Sequence, residues 1–403
     1  MIATSTGRPI GRREFVGLMA MVSALTAFSI DAMLPGLGKI AAELSPDAPN
    51  LAQLVVTSFV LGLGLGTFFV GPLSDTYGRK VVIITGCVLY VVTAFIAFLA
   101  PSMTTMLISR FVMGVAAAAP RIVSIALIRD KHSGPEMARI SSLVMMIFGI
   151  IPAFAPMAGA ALMDAFGWRS IFAFFGLFGA FVMFWMLFRQ PETLLESNRR
   201  TMKVSELKWA VKEVLKAPAA RQVIYVLTLV YAILMATLSS TQQIYAEAFG
   251  AAETFEYFFG AAAAIAACAS FMNSRLVMRF GMKRIIQIAL CVMASLAAIV
   301  TVVELSSAPQ VIRLAMFFVF SAAVFATIGL TLGNLNALAL EPLGHVAGMG
   351  TSVVMSLSTS LSLLLAIPVG QFFNGTPIPL TVGVFIFAVA AFGLSFGLKR
   401  RTL

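Results

Sequence analysis

Charge is scarce in this sequence. Acidic and basic residues together fill 11% of the 403 positions, against about a quarter in soluble domains, and that shortage excludes a water-soluble globular enzyme. Histidine occurs twice and cysteine three times. His132 and His345 lie far apart, while Cys87, Cys268 and Cys291 fall inside apolar runs without a CxxC or any regular spacing. Neither a metal site nor a disulfide framework is expected. No Walker A sequence occurs, which removes ATP as an energy source. Gly62-Leu-Gly-Leu-Gly66 lies within an apolar run rather than in a strand-turn-helix, and is read as helix packing. Paired acids, histidine clusters and nucleophile-base sets are missing from the apolar runs, so the chain is expected to be no enzyme and to carry no cofactor.

What fills the sequence instead is apolar residues, 60% of the total. They form runs long enough to cross a hydrocarbon core about 30 Å thick, near 15–38, 51–73, 81–100, 103–128, 138–163, 168–189, 221–246, 255–278, 285–304, 311–337, 346–372 and 378–398. This predicts an all-α polytopic membrane protein with twelve transmembrane helices. The first run is too long for a cleaved leader and is read as the first span. Six spans (1–189), a polar linker (190–220) and six more spans (221–403) make two bundles. Gly71-Pro-Leu-Ser-Asp-Thr-Tyr-Gly-Arg-Lys80 resembles Asn273-Ser-Arg-Leu-Val-Met-Arg-Phe-Gly-Met-Lys-Arg284. The offset that sets Gly78 on Gly281 also sets Leu73 on Leu276, Lys80 on Lys283 and Arg110 on Arg313. Two parallel six-helix repeats place a substrate site at the midplane between them.

Of 28 Lys and Arg, 23 fall in one set of alternate connections, and the positive-inside rule puts that set, both termini and the linker in the cytoplasm. The net charge of +11 therefore reflects topology and attraction to anionic lipid headgroups, not nucleic-acid binding. Within the linker, Val204, Leu207, Val211 and Val214 or Leu215 share one helical face and lysines the other, predicting an interfacial helix over Lys203–Lys216. It serves as a tether between the bundles or as a regulatory element.

Asp31 is the acid set well inside a span, where a carboxylate costs at least a few kcal/mol unless protonated, paired or watered. It reads as a proton carrier or as a permanently paired anchor. Arg110 is its expected partner. Each lies seven residues from the outer end of its span, roughly 10 Å deep at about 1.5 Å per residue. Arg121, after Pro120, either lines a cavity for an anionic or dipolar cargo or snorkels to the loops. In the 71–80 segment, Gly71 permits packing, Asp75 can meet a helix N-terminus, and Gly78 turns the chain before Arg79 and Lys80, forming a conformational latch. In the fifth span Pro152 and Pro156 each remove a helical hydrogen bond and Gly159 permits close packing, which suits a gating helix. Met146, Tyr225, Tyr231, Gln242, Asn334 and Asn336 are the remaining candidates for substrate contact, with Arg121.

Together these residues resemble the major facilitator superfamily, and within it the drug:proton antiporters of the Bcr/CflA type. The likeness runs through Asp31-Ala-Met-Leu-Pro35, Gly71 to Lys80, Arg110 with Gly114, Arg129-Asp130, and Pro152, Pro156 and Gly159. It continues through Gly167-Trp168-Arg169 with Phe172, Glu192-Thr193-Leu194, Asn273-Ser-Arg275 and Ala347-Gly348. The resemblance implies the major facilitator fold and a monomer that exports drugs or small amphipathic metabolites across the bacterial inner membrane in exchange for protons. Asp31 is then the proton-coupling carboxylate, Arg110 the fourth-span arginine and Asp75 the latch. Two features depart from the family pattern: Ala155 and Ala160 stand where the antiporter segment usually has glycine, and Arg121 has no counterpart there. Arg121 favours an anionic or zwitterionic cargo, whereas a cavity of Phe and Met favours lipophilic drugs. Proton symport of a solute inward is the alternative.

Overall fold

The computed structural model describes residues 10–199, 204–341, 343 and 347–398. Over them the chain is helical: α1 (Arg12–Asp31), α2 (Leu37–Leu44), α3 (Leu54–Tyr77), α4 (Arg79–Phe98), α5 (Met103–Lys131), α6 (Gly134–Phe166), α7 (Arg169–Arg189), α8 (Val204–Lys216), α9 (Pro218–Glu247), α10 (Phe255–Phe280), α11 (Met282–Leu305), α12 (Gln310–Leu340), α13 (Ala347–Gln371) and α14 (Ile378–Ser395). Twelve stretches of helix among the described residues are long and apolar enough to cross a membrane, and each overlaps one of the apolar runs. With every backbone group otherwise needing water, helices are the economical way to bury so much main chain in lipid.

The first span is discontinuous. α1 stops at Asp31, a 3-10 turn covers Leu34–Gly36, and α2 resumes at Leu37. Pro35 cannot donate a backbone hydrogen bond and clashes with the preceding turn, so the break falls where Pro35-Gly36 sits. Asp31 is thus the last residue of a helix and not a mid-helix residue, as the depth comparison assumed.

The described chain divides into two compact units: Met1–Gly36 with Ser58–Glu206, and Leu37–Thr57 with Leu207–Leu403. Residues 37–57, expected with the first bundle, pack with the second unit. The reason is a set of polar contacts. The Asn50 amide donates to the carbonyls of Gln371 (3.1 Å) and Phe373 (3.0 Å), and the Gln53 amide donates to Gln243 Oε1 at 2.8 Å.

In the first unit α3 and α5 meet backbone to backbone. A Cβ on Gly62 would strike the Phe111 carbonyl, and one on Gly114 would strike the Phe59 carbonyl. Gly114→Val is therefore expected to destabilise the unit by about 2 kcal/mol through overpacking, read as a lowered unfolding temperature of the detergent-purified protein. An unchanged temperature would mean the two helices part without cost.

The repeat seen in sequence recurs in geometry. Gly78 (φ 102°, ψ 154°) and Gly281 (φ 77°, ψ 155°) hold the same left-handed turn between helices. Lys80 Nζ donates to the Leu187 carbonyl at the end of α7 (2.7 Å). Its counterpart Lys283 donates to the carbonyls of Phe396 (2.7 Å) and Leu398 (2.6 Å) at the end of α14. Each lysine satisfies carbonyls that a helix end leaves without partners.

The linker helix is present as α8, with Leu207, Ala210 and Val214 buried and Lys208, Lys212 and Lys216 exposed. Leu215 lies on the exposed side, because Ala210 and not Val211 occupies the centre of the buried stripe. Lys203 lies outside the described residues.

Candidate functional site

The last turn of α1 organises the first unit's interior. A helix leaves its final four carbonyls without intrahelical partners, and two of those of α1 are met here. The Phe28 carbonyl accepts from Ala32 N at 3.0 Å. The Ser29 carbonyl accepts from Arg110 Nη2 at 2.9 Å. Arg110, on α5, is fully buried, with its guanidinium 4.4 Å from the Phe59 ring centroid and 5.9 Å from that of Phe172. A cation set at the negative end of a helix dipole and between two aromatic faces is favoured on both counts.

Ser29 uses its single proton on the Leu25 carbonyl at 2.6 Å, so the Tyr90 hydroxyl, 2.5 Å from Ser29 Oγ, is the donor of that pair. Tyr90, on α4, is fully buried, and its ring fills the space beside Gly179 of α7. Side chains from four helices, α3, α4, α5 and α7, thus gather at the end of α1.

Asp31 is buried, with 5% of its surface exposed. Among the described residues its carboxyl enters no ion pair or hydrogen bond. The structure brings Arg110 to α1, to the carbonyl of Ser29, two residues before Asp31.

The proline-rich helix meets this point. α6 runs through Pro152 and Pro156 as one helix, and a Cβ on Gly159 would strike the Ala32 carbonyl. The gating candidate and the proton candidate therefore touch at the break in the first span, a contact that nothing in the spacing of either segment announced.

At the α3–α4 turn, Arg79 gathers several helix ends. Its Nη1 donates to Asp75 Oδ1 (2.5 Å) and Ser74 Oγ (2.7 Å), and its Nε to Asp130 Oδ2 (3.0 Å) at the end of α5. The helix N-terminus at Arg79 is not met by Asp75, as the sequence suggested it can be. It is met by Glu192, whose carboxylate accepts from the backbone N–H of Arg79 and Lys80 (3.0 Å each) and of Thr193 (2.8 Å) and Leu194 (3.0 Å). Gly78 allows this approach, since a Cβ there would lie 2.5 Å from Glu192 Oε2. Gly71 sits one turn before the cluster, its carbonyl accepting from the Ser74 hydroxyl at 2.8 Å. Glu192→Ala is expected to cost about 1 kcal/mol, the worth of a helix N-cap, and to speed proteolysis after Arg189. Unchanged cleavage would show that the cap does not hold the segment.

The substrate-contact candidates are distributed over both units. Arg121 is half-buried, 5.9 Å from the Phe148 ring centroid. Met146 and Tyr225 are exposed. Tyr231 is buried on α9, with its hydroxyl 3.8 Å from Met355 Sδ. Asn334 donates to Asn273 Oδ1 at 2.9 Å and to the Leu330 carbonyl at 2.8 Å, so it ties α12 to α10, and Asn336 is half-buried beside it. Gln242 is buried on α9 with no hydrogen bond among the described residues. Ser29, Tyr90 and Phe59 were not singled out by sequence. Phe172, Asp130 and Glu192 were quoted only as marks of family likeness.

A family profile described as Major Facilitator Superfamily matches residues 16–367. The chain is 27% identical over 408 aligned positions to the uncharacterized MFS-type transporter YdgK of Bacillus subtilis strain 168, covering 100% of this chain and 98% of that one. It is 28% identical to the bicyclomycin resistance protein homolog of Haemophilus influenzae, with 91% of each covered. A shorter stretch is 34% identical to the multidrug resistance protein MdtL of Escherichia coli O157:H7, over 41% of this chain and 42% of the relative. Among solved structures, the nucleoside transporter NupG (D323A mutant) superposes with a TM-score of 0.73 at 13% identity, covering 95% of this chain and 98% of that one. A D-xylose-proton symporter does so with a TM-score of 0.71 at 14% identity, covering 95% and 96%. At such identities these likenesses speak for the fold alone.

Proposed function

The chain belongs to the major facilitator superfamily of membrane transporters, and we propose that it is a proton-coupled antiporter that exports drugs or small amphipathic metabolites from the bacterial cytoplasm. Its termini and α8 then lie on the cytoplasmic side of the inner membrane, following the basic residues. Relatives named for bicyclomycin and multidrug resistance support the cargo class.

The observation that carries the reading is the buried Asp31 carboxyl at the broken end of α1, two residues beyond the carbonyl that holds Arg110. Protonated, the carboxyl is neutral and tolerates burial while Arg110 caps Ser29. Ionised, it draws the guanidinium from that carbonyl, which loosens the last turn of α1 against α5 and the Ala32–Gly159 contact against α6. Proton and cargo thereby bias the same two-state element. The α3–α4 cluster, with Asp75 half-exposed beside Arg79, is the latch in this scheme.

The test is proton movement in inverted inner-membrane vesicles containing the protein, energised to an acid interior and challenged with phenicols, lipophilic cations and zwitterionic metabolites. Export by antiport predicts that one class collapses the pH gradient. If compounds move only when protons move with them in the same direction, the protein is a symporter and the reading is wrong.

A further inference from the structure

A second polar site lies within the second unit. There α2 and the segment after it face the end of α9 across a cavity of about 160 Å³, close to the roughly 150 Å³ of a cavity known to accept benzene. One wall is apolar, including Leu37, Pro46 and Pro49. The other carries Ser239, Gln242 and Glu247 of α9.

Two neighbouring amides are hydrogen-bonded at both nitrogen and oxygen. Gln243 Nε2 donates to Asn50 Oδ1 and to Glu247 Oε1, both at 2.9 Å, and its Oε1 accepts from Gln53. Gln53 Oε1 accepts from the Ser240 hydroxyl at 3.2 Å. These residues are the frame. Gln242 is different: it is 5% exposed, lines the cavity and makes no hydrogen bond among the described residues. Its amide nitrogen faces Gly38, where a Cβ would stand 3.7 Å away. A side-chain amide that lines a cavity without a protein partner is open to a hydrogen bond with a ligand.

Charge sets the ligand class. Glu247 is exposed and lines the cavity, with one carboxylate oxygen engaged by Gln243. Lys39, on α2, is exposed and is not among the lining residues. A carboxylate, an amide that presents its oxygen after a half-turn about its last bond and an apolar wall suit a donor-rich cation on a small hydrophobic body.

We propose that this cavity is a binding site for a primary ammonium carried on a group of about benzene size, with Glu247 holding the charge and Gln242 the hydrogen bond. The site shares no residue with the Asp31 centre, and binding is read without pumping, so failure of the export reading leaves it intact.

The probes are benzylammonium, benzyl alcohol and benzoate, titrated by calorimetry into the full chain in nanodiscs of zwitterionic lipid. Benzylammonium is expected to bind at least about tenfold more tightly than benzyl alcohol, with benzoate weakest. Glu247→Gln is expected to erase the preference for the amine over the alcohol. Gln242→Leu is expected to weaken benzylammonium by about tenfold. Gly38→Leu, which fills the cavity from the opposite wall, is expected to abolish binding with an unchanged unfolding temperature. Equal binding of amine and alcohol, or benzylammonium binding that survives Gly38→Leu in a folded protein, would overturn the proposal.

Discussion

Asp31→Asn is expected to reduce proton-driven export to the background of vesicles lacking the protein, while leaving the fold intact. The carboxamide has the size of the carboxyl but neither takes up nor gives up a proton at any working pH. The native carboxyl enters no ion pair or hydrogen bond among the described residues, so the exchange removes no contact. Its effect on stability is expected to stay within about 1 kcal/mol. Loss of transport with an unchanged unfolding temperature separates a proton carrier from an anchor. An anchor would give the reverse, a lowered unfolding temperature with coupling preserved in whatever protein remains folded. Asp31→Glu keeps the titratable group and is expected to restore part of the activity.

The largest effect on stability is expected at Arg110. Arg110→Met keeps length and apolar bulk but removes the guanidinium from between Phe59 and Phe172. It also leaves the Ser29 carbonyl, buried at the end of α1, without its donor. A hydrogen bond from a charged group contributes about 1.5–3 kcal/mol, and the desolvated cation–π contact up to about 2 kcal/mol. A loss of about 3 kcal/mol is therefore expected, measured by thermal unfolding in detergent. Arg110→Lys retains the charge without the planar fork, and is expected to recover less than half of that loss. A variant Arg110→Met as stable as the wild type would show that the end of α1 does not depend on this cap.

Much of the architecture was open to reading before any coordinates. Long apolar runs locate spans because their length is set by the bilayer, and the Gly78–Gly281 offset exposed the repeat because left-handed turns demand glycine. The break in the first span was marked by Pro35-Gly36, yet an apolar run of full length concealed it. That concealment matters, since it moved Asp31 from mid-helix to a helix end and gave Arg110 a carbonyl to hold. Side-chain facing was harder still. When every face of a helix is apolar, helical phase cannot separate a cavity wall from a packed seam. So nothing in the spacing showed that Asn334 bonds Asn273 or that Gln242 faces α2. Contacts such as Gly159 on Ala32 join segments more than a hundred residues apart, and only tertiary packing creates them. Residues 37–57 joined the second unit for the same reason, through Asn50 and Gln53.

The most direct measurement is proton release on cargo binding. Purified protein in weakly buffered detergent solution, carrying a pH-indicating dye, is mixed with a compound that collapsed the gradient in vesicles, and binding is followed separately by calorimetry. The account predicts that the wild type releases protons as cargo binds and that Asp31→Asn binds cargo with no release. Equal release from both proteins, or cargo binding to the wild type without any release, would contradict the assignment of Asp31 as the group through which proton and cargo compete.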